Sequence, residues 1–220
     1  MRSRIHAAAL RVGNCPSQVT IVAVTKGVDV ALVREAHALG LGDFGENRVQ
    51  EARGKIPEAS IAARWHMIGH LQTNKVKYVP SLFCLVHSLD RLDLALEMQK
   101  IGDRLDKSFD TLVQVNVSGE TSKSGTSPGD VMSLMRALRP YDRIVVQGLM
   151  TIAPTCDDAQ QTRPVFRTLR EISNRVSQEG FDRIEMKYLS MGMSQDFEVA
   201  VEEGANMVRI GTAIFGPRRL

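Results

Sequence analysis

The sequence predicts a single (β/α)8 barrel, and two observations carry this prediction. Short β-rich runs alternate with helical patterns along the 220 residues, and no linker rich in glycine, proline or serine divides the chain. Eight strands with intervening helices suit a closed parallel barrel. A doubly wound open sheet is the alternative with the same alternation. The predicted strands are 20–25, 42–45, 64–69, 84–89, 111–117, 144–150, 187–192 and 206–211.

Helical patterns fill the intervals between these strands. An amphipathic helix is predicted at about 1–13, so that residues 1–220 form one barrel domain. Asp90 is the predicted N-cap of one helix, and Gly204 is the predicted C-cap of another. The remaining predicted helices are 30–39, 47–55, 90–105, 128–138, 160–179 and 195–204.

Composition excludes several classes of protein. The net charge is +3 and no basic stripe with interleaved aromatic residues occurs, which argues against a nucleic-acid partner. The apolar runs are too short for a membrane span, and Pro217–Arg219 is predicted to be a solvated tail. Cys15, Cys84 and Cys156 are far apart and odd in number, so neither a disulfide framework nor a zinc site is predicted. This cysteine usage favours the cytoplasm.

Lys26 comes directly after the first predicted strand and has two interpretations. Its stem could simply run out of the barrel to water. Alternatively, its amine lies in a confined site, where partial desolvation favours the neutral nucleophile that attacks an aldehyde. Pyridoxal 5'-phosphate supplies an aldehyde and a phosphate. Glycines and hydroxyls in SMGM (190–193) with Ser194, and in GTAIFG (211–216), stand where barrel phosphate sites are expected.

Longer motifs around these positions resemble one family. The sequence resembles the pyridoxal phosphate homeostasis proteins, which are single-domain relatives of the barrel domain of alanine racemase. The matching motifs are AVTKG (23–27), FGENRVQE (44–51), WHMIGHLQTNK (65–75), HSLDR (87–91), VNVSGETSKSG (115–125), GLMTIAP (148–154), LSMGMSQDFEVAVEEG (189–204) and VRIGTAIFG (208–216).

The resemblance implies a pyridoxal 5'-phosphate site at the barrel mouth. It implies that the cofactor is bound covalently to Lys26 as a Schiff base and that Arg209 faces the pyridine nitrogen. The other implied contacts are Ser190, Gly211 and Thr212 at the phosphate, Asn47 near the ring, and Met150 and Met193 as pocket walls.

Arg209 argues for weak catalysis. Arginine is a cation with donors only, so it favours an unprotonated pyridine nitrogen and a weak electron sink. Racemisation would need a second base, which in alanine racemase is a tyrosine from a second domain, and we expect no room for that domain after strand eight. The resemblance therefore implies a protein that holds the cofactor and takes part in intracellular pyridoxal phosphate homeostasis and amino-acid balance. Apo-enzymes that depend on the cofactor are possible recipients, and a monomer or weak dimer is expected.

Two enzyme hypotheses stay open at this point. The first is a racemase or another weak enzyme that uses the same Schiff base. The second is a barrel enzyme for a phosphorylated sugar, with Lys26 bound to the substrate. No metal site is predicted, because His66 and His70 span a strand and a glycine turn, where helical spacing has no meaning.

Overall fold

The computed structural model, which describes residues 1–217, is a closed barrel of eight parallel strands. The strands follow one another in chain order, and β8 pairs with β1. This closure confirms the predicted barrel and excludes the open sheet, whose edge strands would stay unpaired. The strands are β1 (Thr20–Val24), β2 (Asp43–Glu46), β3 (Arg64–Met67), β4 (Leu85–Leu89), β5 (Phe109–Gln114), β6 (Ile144–Met150), β7 (Ile184–Ser190) and β8 (Met207–Ile210).

Helices surround the barrel. Helix α1 precedes β1, and α9 follows β8; short 3-10 segments lie at Pro16–Gln18, Thr73–Tyr78 and Ala159–Thr162. The α-helices are α1 (Arg2–Arg11), α2 (Val30–Ala38), α3 (Val49–Ala59), α4 (Val79–Leu82), α5 (Leu92–Leu105), α6 (Val131–Leu138), α7 (Arg163–Gln178), α8 (Phe197–Glu202) and α9 (Thr212–Phe215).

The two cap predictions have different outcomes. Asp90 is not the N-cap of α5; Arg91 occupies that position, and the Asp90 carboxylate instead accepts a hydrogen bond from the Arg91 guanidinium at 2.7 Å. Gly204 lies one residue beyond the observed C-cap of α8, Glu203, and has a φ of +97°. Glycine adopts this left-handed conformation readily, so Gly204 does end the helix. It occupies the position after the C-cap and not the C-cap itself.

The barrel interior combines an apolar layer with polar side chains. Val22, Leu85, Leu112, Met150 and Met207 form one buried cluster. They come from five different strands, and side chains from so many strands meet only inside the barrel. This layer supports the site at the carboxyl ends of the strands.

Three further observations concern predictions made from composition. Within residues 1–217, no helix is long and apolar enough to cross a membrane. The three cysteines are free thiols. Arg218 and Arg219 of the predicted tail lie outside the described residues.

Candidate functional site

A cavity of about 230 Å³ opens at the carboxyl ends of the strands, and we call it the rim cavity. It lies where β1, β7 and β8 end, the usual active-site position in this fold. Its lining includes apolar and polar groups, as small-molecule sites do. Among the lining residues are Val24, Lys26, Met193, Ser194, Arg209, Gly211, Thr212 and Phe215.

Lys26 is held in place through its two chain neighbours. The Lys55 ammonium donates to the Thr25 carbonyl oxygen and to the Glu51 carboxylate, and Glu51 Oε1 accepts from the Gly27 backbone N–H at 2.6 Å. Residues on both sides of Lys26 are therefore tied to the same ammonium group, directly or through Glu51. This arrangement fixes the backbone from which the Lys26 side chain enters the rim cavity.

Glu46 completes this ionic group beneath Lys26. The Glu46 side chain is fully buried, and its Oε1 accepts from the Lys55 ammonium at 2.8 Å and from the Thr25 hydroxyl at 2.6 Å. Its Oε2 has no hydrogen-bond partner among the described residues. Burial raises the pKa of Glu46 above its ordinary value, although the hydrogen bonds from Lys55 and Thr25 oppose that rise. Lys55 is thus the cation that allows a carboxylate at this depth.

Arg209 reaches the rim cavity from β8 while its guanidinium is anchored from below. Its Nη1 donates to the carbonyl oxygen of Ser190 at 2.7 Å and to the Ser190 hydroxyl at 2.6 Å, and Nη2 donates to the Thr151 carbonyl at 2.7 Å. These contacts use three of the five N–H donors of an arginine. Burial lowers the pKa of Arg209 to about 10, and the nearby Asp196 carboxylate opposes this. Arg209 is therefore still a cation at neutral pH.

A row of hydrogen-bonded side chains continues from Arg209 through the barrel, and we call Asp43, His66, His87, Ser190 and Arg209 the polar chain. The Ser190 hydroxyl lies 3.0 Å from His87 Nδ1. His87 Nε2 lies 3.0 Å from His66 Nδ1, and His66 Nε2 lies 2.9 Å from Asp43 Oδ1. Asp43 is the first residue of β2, at the amino-terminal end of the barrel, so the polar chain runs from one end of the barrel to the other.

The loop between β7 and α8 brings hydroxyl and backbone groups to the cavity. Ser194 lines the cavity and its hydroxyl accepts from the backbone N–H of Ala213 at 3.3 Å, which joins this loop to α9. Gly192 has a φ of +91°, and a Cβ there would lie 2.5 Å from the Ala200 Cβ. Only glycine lets the loop pack this closely on α8.

Five of the predicted site residues lie together on the rim cavity. They are Lys26, Met193, Arg209, Gly211 and Thr212. Asn47 lines an adjoining cavity of about 300 Å³, which shares Lys26 with the rim cavity. The structure therefore brings Asn47 close to the others across the Lys26 side chain.

The structure does not place Ser190 and Met150 on the rim cavity. Ser190 is the last residue of β7 and is fully buried, with its hydroxyl bonded to Arg209 and His87. Met150 is equally buried and belongs to the apolar cluster inside the barrel. Ser190 therefore contacts the cavity residue Arg209 from below, and Met150 belongs to the apolar layer beneath the rim cavity.

Comparisons with known proteins identify the family of this chain. The family model described as the alanine racemase N-terminal domain matches residues 3–219. A pyridoxal phosphate homeostasis protein of Aquifex aeolicus is 42% identical over 98% of this chain and 94% of its own length, and one of Pseudomonas aeruginosa is 43% identical over 98% and 92%. The chain belongs to this family. The recognition made from the sequence motifs is confirmed.

Solved structures of relatives show the same fold. PipY of Synechococcus elongatus with PLP bound has a TM-score of 0.84 and 35% identity, covering 98% of this chain and 99% of that chain. An alanine racemase of Clostridium difficile has a TM-score of 0.74 at 18% identity, covering 98% of this chain and 55% of that chain. The likeness to this alanine racemase shows only a shared barrel fold.

Proposed function

We propose that this protein binds pyridoxal 5'-phosphate in the rim cavity, covalently on Lys26, and holds it for supply to other proteins of the cell. The observation that carries the proposal is the convergence of Lys26, Arg209, Gly211, Thr212 and a loop hydroxyl on one cavity. The homeostasis relatives and the PLP-bound PipY structure support it. When bound, the cofactor supplies an aldehyde for the lysine amine and a phosphate for the glycine-rich rim.

The groups present fit such a ligand. The Lys26 side chain is half-buried on a backbone clamped on both sides, which suits a fixed attachment point. Arg209 has N–H donors beyond those that bind Ser190 and Thr151, so its guanidinium suits a ring-nitrogen acceptor. Hydroxyls of Ser194 and Thr212 on the same cavity suit a phosphate.

The same arrangement supports binding without strong catalysis. Arg209 stays cationic at neutral pH and donates only, so it cannot keep a facing ring nitrogen protonated. None of the three tyrosines lines the rim cavity, so the described residues offer no tyrosine base opposite Lys26. A weak racemase or related activity is the second candidate, because the fold is that of alanine racemase.

Further parts of the proposal concern the cellular role. We propose a part in pyridoxal phosphate homeostasis and amino-acid balance, with cofactor-dependent apo-enzymes as recipients. The three free thiols favour the cytoplasm. A monomer or weak dimer remains the expected state, and light scattering of the purified chain would test it.

An absorbance spectrum of the purified protein, recorded before and after borohydride reduction, tests the proposal. We expect a visible band that reduction removes, with the cofactor mass fixed on Lys26. Lys26→Ala should lose the band, whereas the exposed control Lys107→Ala should keep it. A protein that stays colourless with added pyridoxal phosphate contradicts cofactor binding, and a label on another lysine contradicts the assigned anchor. Steady turnover of an amino acid that depends on Lys26 would favour the enzyme instead.

A further inference from the structure

Hydrogen-bonding capacity restricts the polar chain to two proton arrangements. Arg209 has no acceptor, so the Ser190 hydroxyl oxygen accepts from it. His87 is fully buried, and burial, with the positive charges of His66 and Arg209, holds its pKa well below the ordinary value. His87 is therefore neutral and carries one proton, on either Nδ1 or Nε2.

In the first arrangement every donor points away from Arg209. The Ser190 hydroxyl donates to His87 Nδ1, His87 Nε2–H donates to His66 Nδ1, and His66 Nε2–H donates to the Asp43 carboxylate. Each contact then has one proton, and both imidazoles are neutral. The polar chain is then an unbroken series of hydrogen bonds from the Arg209 cation to the Asp43 carboxylate.

In the second arrangement His87 is the other neutral tautomer, with its proton on Nδ1. His87 Nδ1–H donates to Ser190, so His87 Nε2 must accept from His66 Nδ1–H. The contact between His66 Nε2 and Asp43 also needs a proton, so the His66–Asp43 pair holds one proton more than in the first arrangement. The Ser190 oxygen now accepts from both Arg209 and His87, so the Ser190 proton loses His87 Nδ1 as its acceptor, and added positive charge lies beneath Arg209.

The surroundings of His66 favour uptake of that proton within the range where histidine titrates. Burial lowers the pKa of His66. The hydrogen bonds to Asp43 and to the Cys84 thiol raise it by more than burial lowers it, so the pKa of His66 lies above its ordinary value. Cys84 Sγ lies 3.9 Å from His66 Nε2, and the Arg64 guanidinium lies 3.5 Å from Asp43 Oδ1. Together with His87, these are the titratable and charged groups that face His66 in the described structure.

We propose that His87 is a positioning residue for Arg209 and that protonation of the His66–Asp43 pair sets which nitrogen of His87 donates. The cavity floor thus responds to a proton taken up at the other end of the barrel. The effect on a bound cofactor rests on the proposed function. In the second arrangement the Ser190 hydroxyl no longer donates to His87 Nδ1 while it still accepts from Arg209, and this loss of about one hydrogen bond beneath Arg209 corresponds to roughly 3- to 10-fold faster cofactor release.

Long-range proton–nitrogen NMR of the histidine rings in the full chain tests the coupling directly. Over about pH 8 to 5, we expect His87 to change from the Nε2–H to the Nδ1–H tautomer with the same midpoint at which His66 gains its proton. A His87 ring that keeps one tautomer while His66 titrates, or that becomes an imidazolium, would overturn the proposal. This measurement needs neither a variant nor the cofactor.

The release rate of pyridoxal phosphate across the same pH range tests the positioning role. We expect release to speed up roughly 3- to 10-fold through the His66 midpoint. Asp43→Asn keeps an acceptor for His66 but not the charge, and should move the midpoint to lower pH. Ser190→Ala should abolish the pH step. A tautomer change without any step in release would refute positioning, whereas a protein that never binds the cofactor would refute only the proposed function.

Discussion

Replacing Lys55 by methionine tests whether the buried ionic group supports Lys26. Lys55 is 7% exposed and Glu46 is 0% exposed, so the substitution leaves a carboxylate buried without its cation. Breaking such a pair costs about 3 to 5 kcal/mol of unfolding free energy. We expect a loss of this size in urea unfolding at neutral pH. The same variant should bind pyridoxal phosphate more weakly, because Thr25 loses its anchor.

The stability lost in Lys55→Met should depend on pH, and the direction of that dependence follows from the pKa of Glu46. The folded-state pKa of Glu46 is already raised by burial, and removing Lys55 raises it further. An acid whose pKa is raised on folding costs stability above that pKa, and the cost disappears as the pH falls through it. The deficit of Lys55→Met should therefore shrink on acidification. Lys100→Met on the exposed face of α5 is the control and should change little. A loss below about 1 kcal/mol, or one that stays constant with pH, would refute the reasoning.

Two other substitutions test the loop and the helices around the site. Gly192→Ala forces a Cβ to 2.5 Å from Ala200 at a φ of +91°, so we expect a loss of about 1 to 3 kcal/mol or more in urea unfolding; an unchanged midpoint would contradict this. Glu203→Gln removes a buried carboxylate bound by three arginines of α7, at a cost of about 1.5 to 3 kcal/mol. Burial raises the pKa of Glu203, but the three guanidinium groups lower it by more, so the folded-state pKa lies below the unfolded one. The stability that Glu203 contributes is therefore present above its unfolded pKa and is lost as the pH falls through its folded pKa. The exposed Glu179→Gln should have almost no effect, and an equal effect of both would contradict the burial argument.

The barrel could be predicted from the sequence because its strands are short apolar runs between clear helical patterns. The observed β1, β4 and β6 lie within one residue of the prediction at each end. Strand β7 begins at Ile184, before the predicted 187, because its first residues alternate between half-buried and exposed and do not form an apolar run. It also ends at Ser190, before the predicted 192, and this difference moves Ser190 from the rim to the interior.

The site was predictable where a residue directly follows a predicted strand, as Lys26 does, or where the family resemblance implies a role for it, as it does for Arg209. Both lie on the rim cavity. The two histidines of the polar chain meet neither condition, because His66 and His87 each stand alone in a strand and resemble ordinary core histidines. Ser194 was predicted only as one hydroxyl of a phosphate loop, and the resemblance implied Ser190 as the contact, because which serine lies at the rim depends on where β7 ends and spacing alone does not fix that end. Lys55 gave no signal, since a lysine in a helical pattern is usually solvated.

The polar chain also has a consequence for how the molecule folds. His87 and Ser190 are separated by 103 residues, and their contact joins β4 to β7 across the barrel. Contacts this distant in sequence form late, since a long loop must close before any of them is made. An amino-terminal half of the chain, however compact, lacks both Ser190 and Arg209. Competence to hold a ligand at the rim should therefore appear only in the final step of folding, and ligand retention would then count the molecules that have completed the barrel.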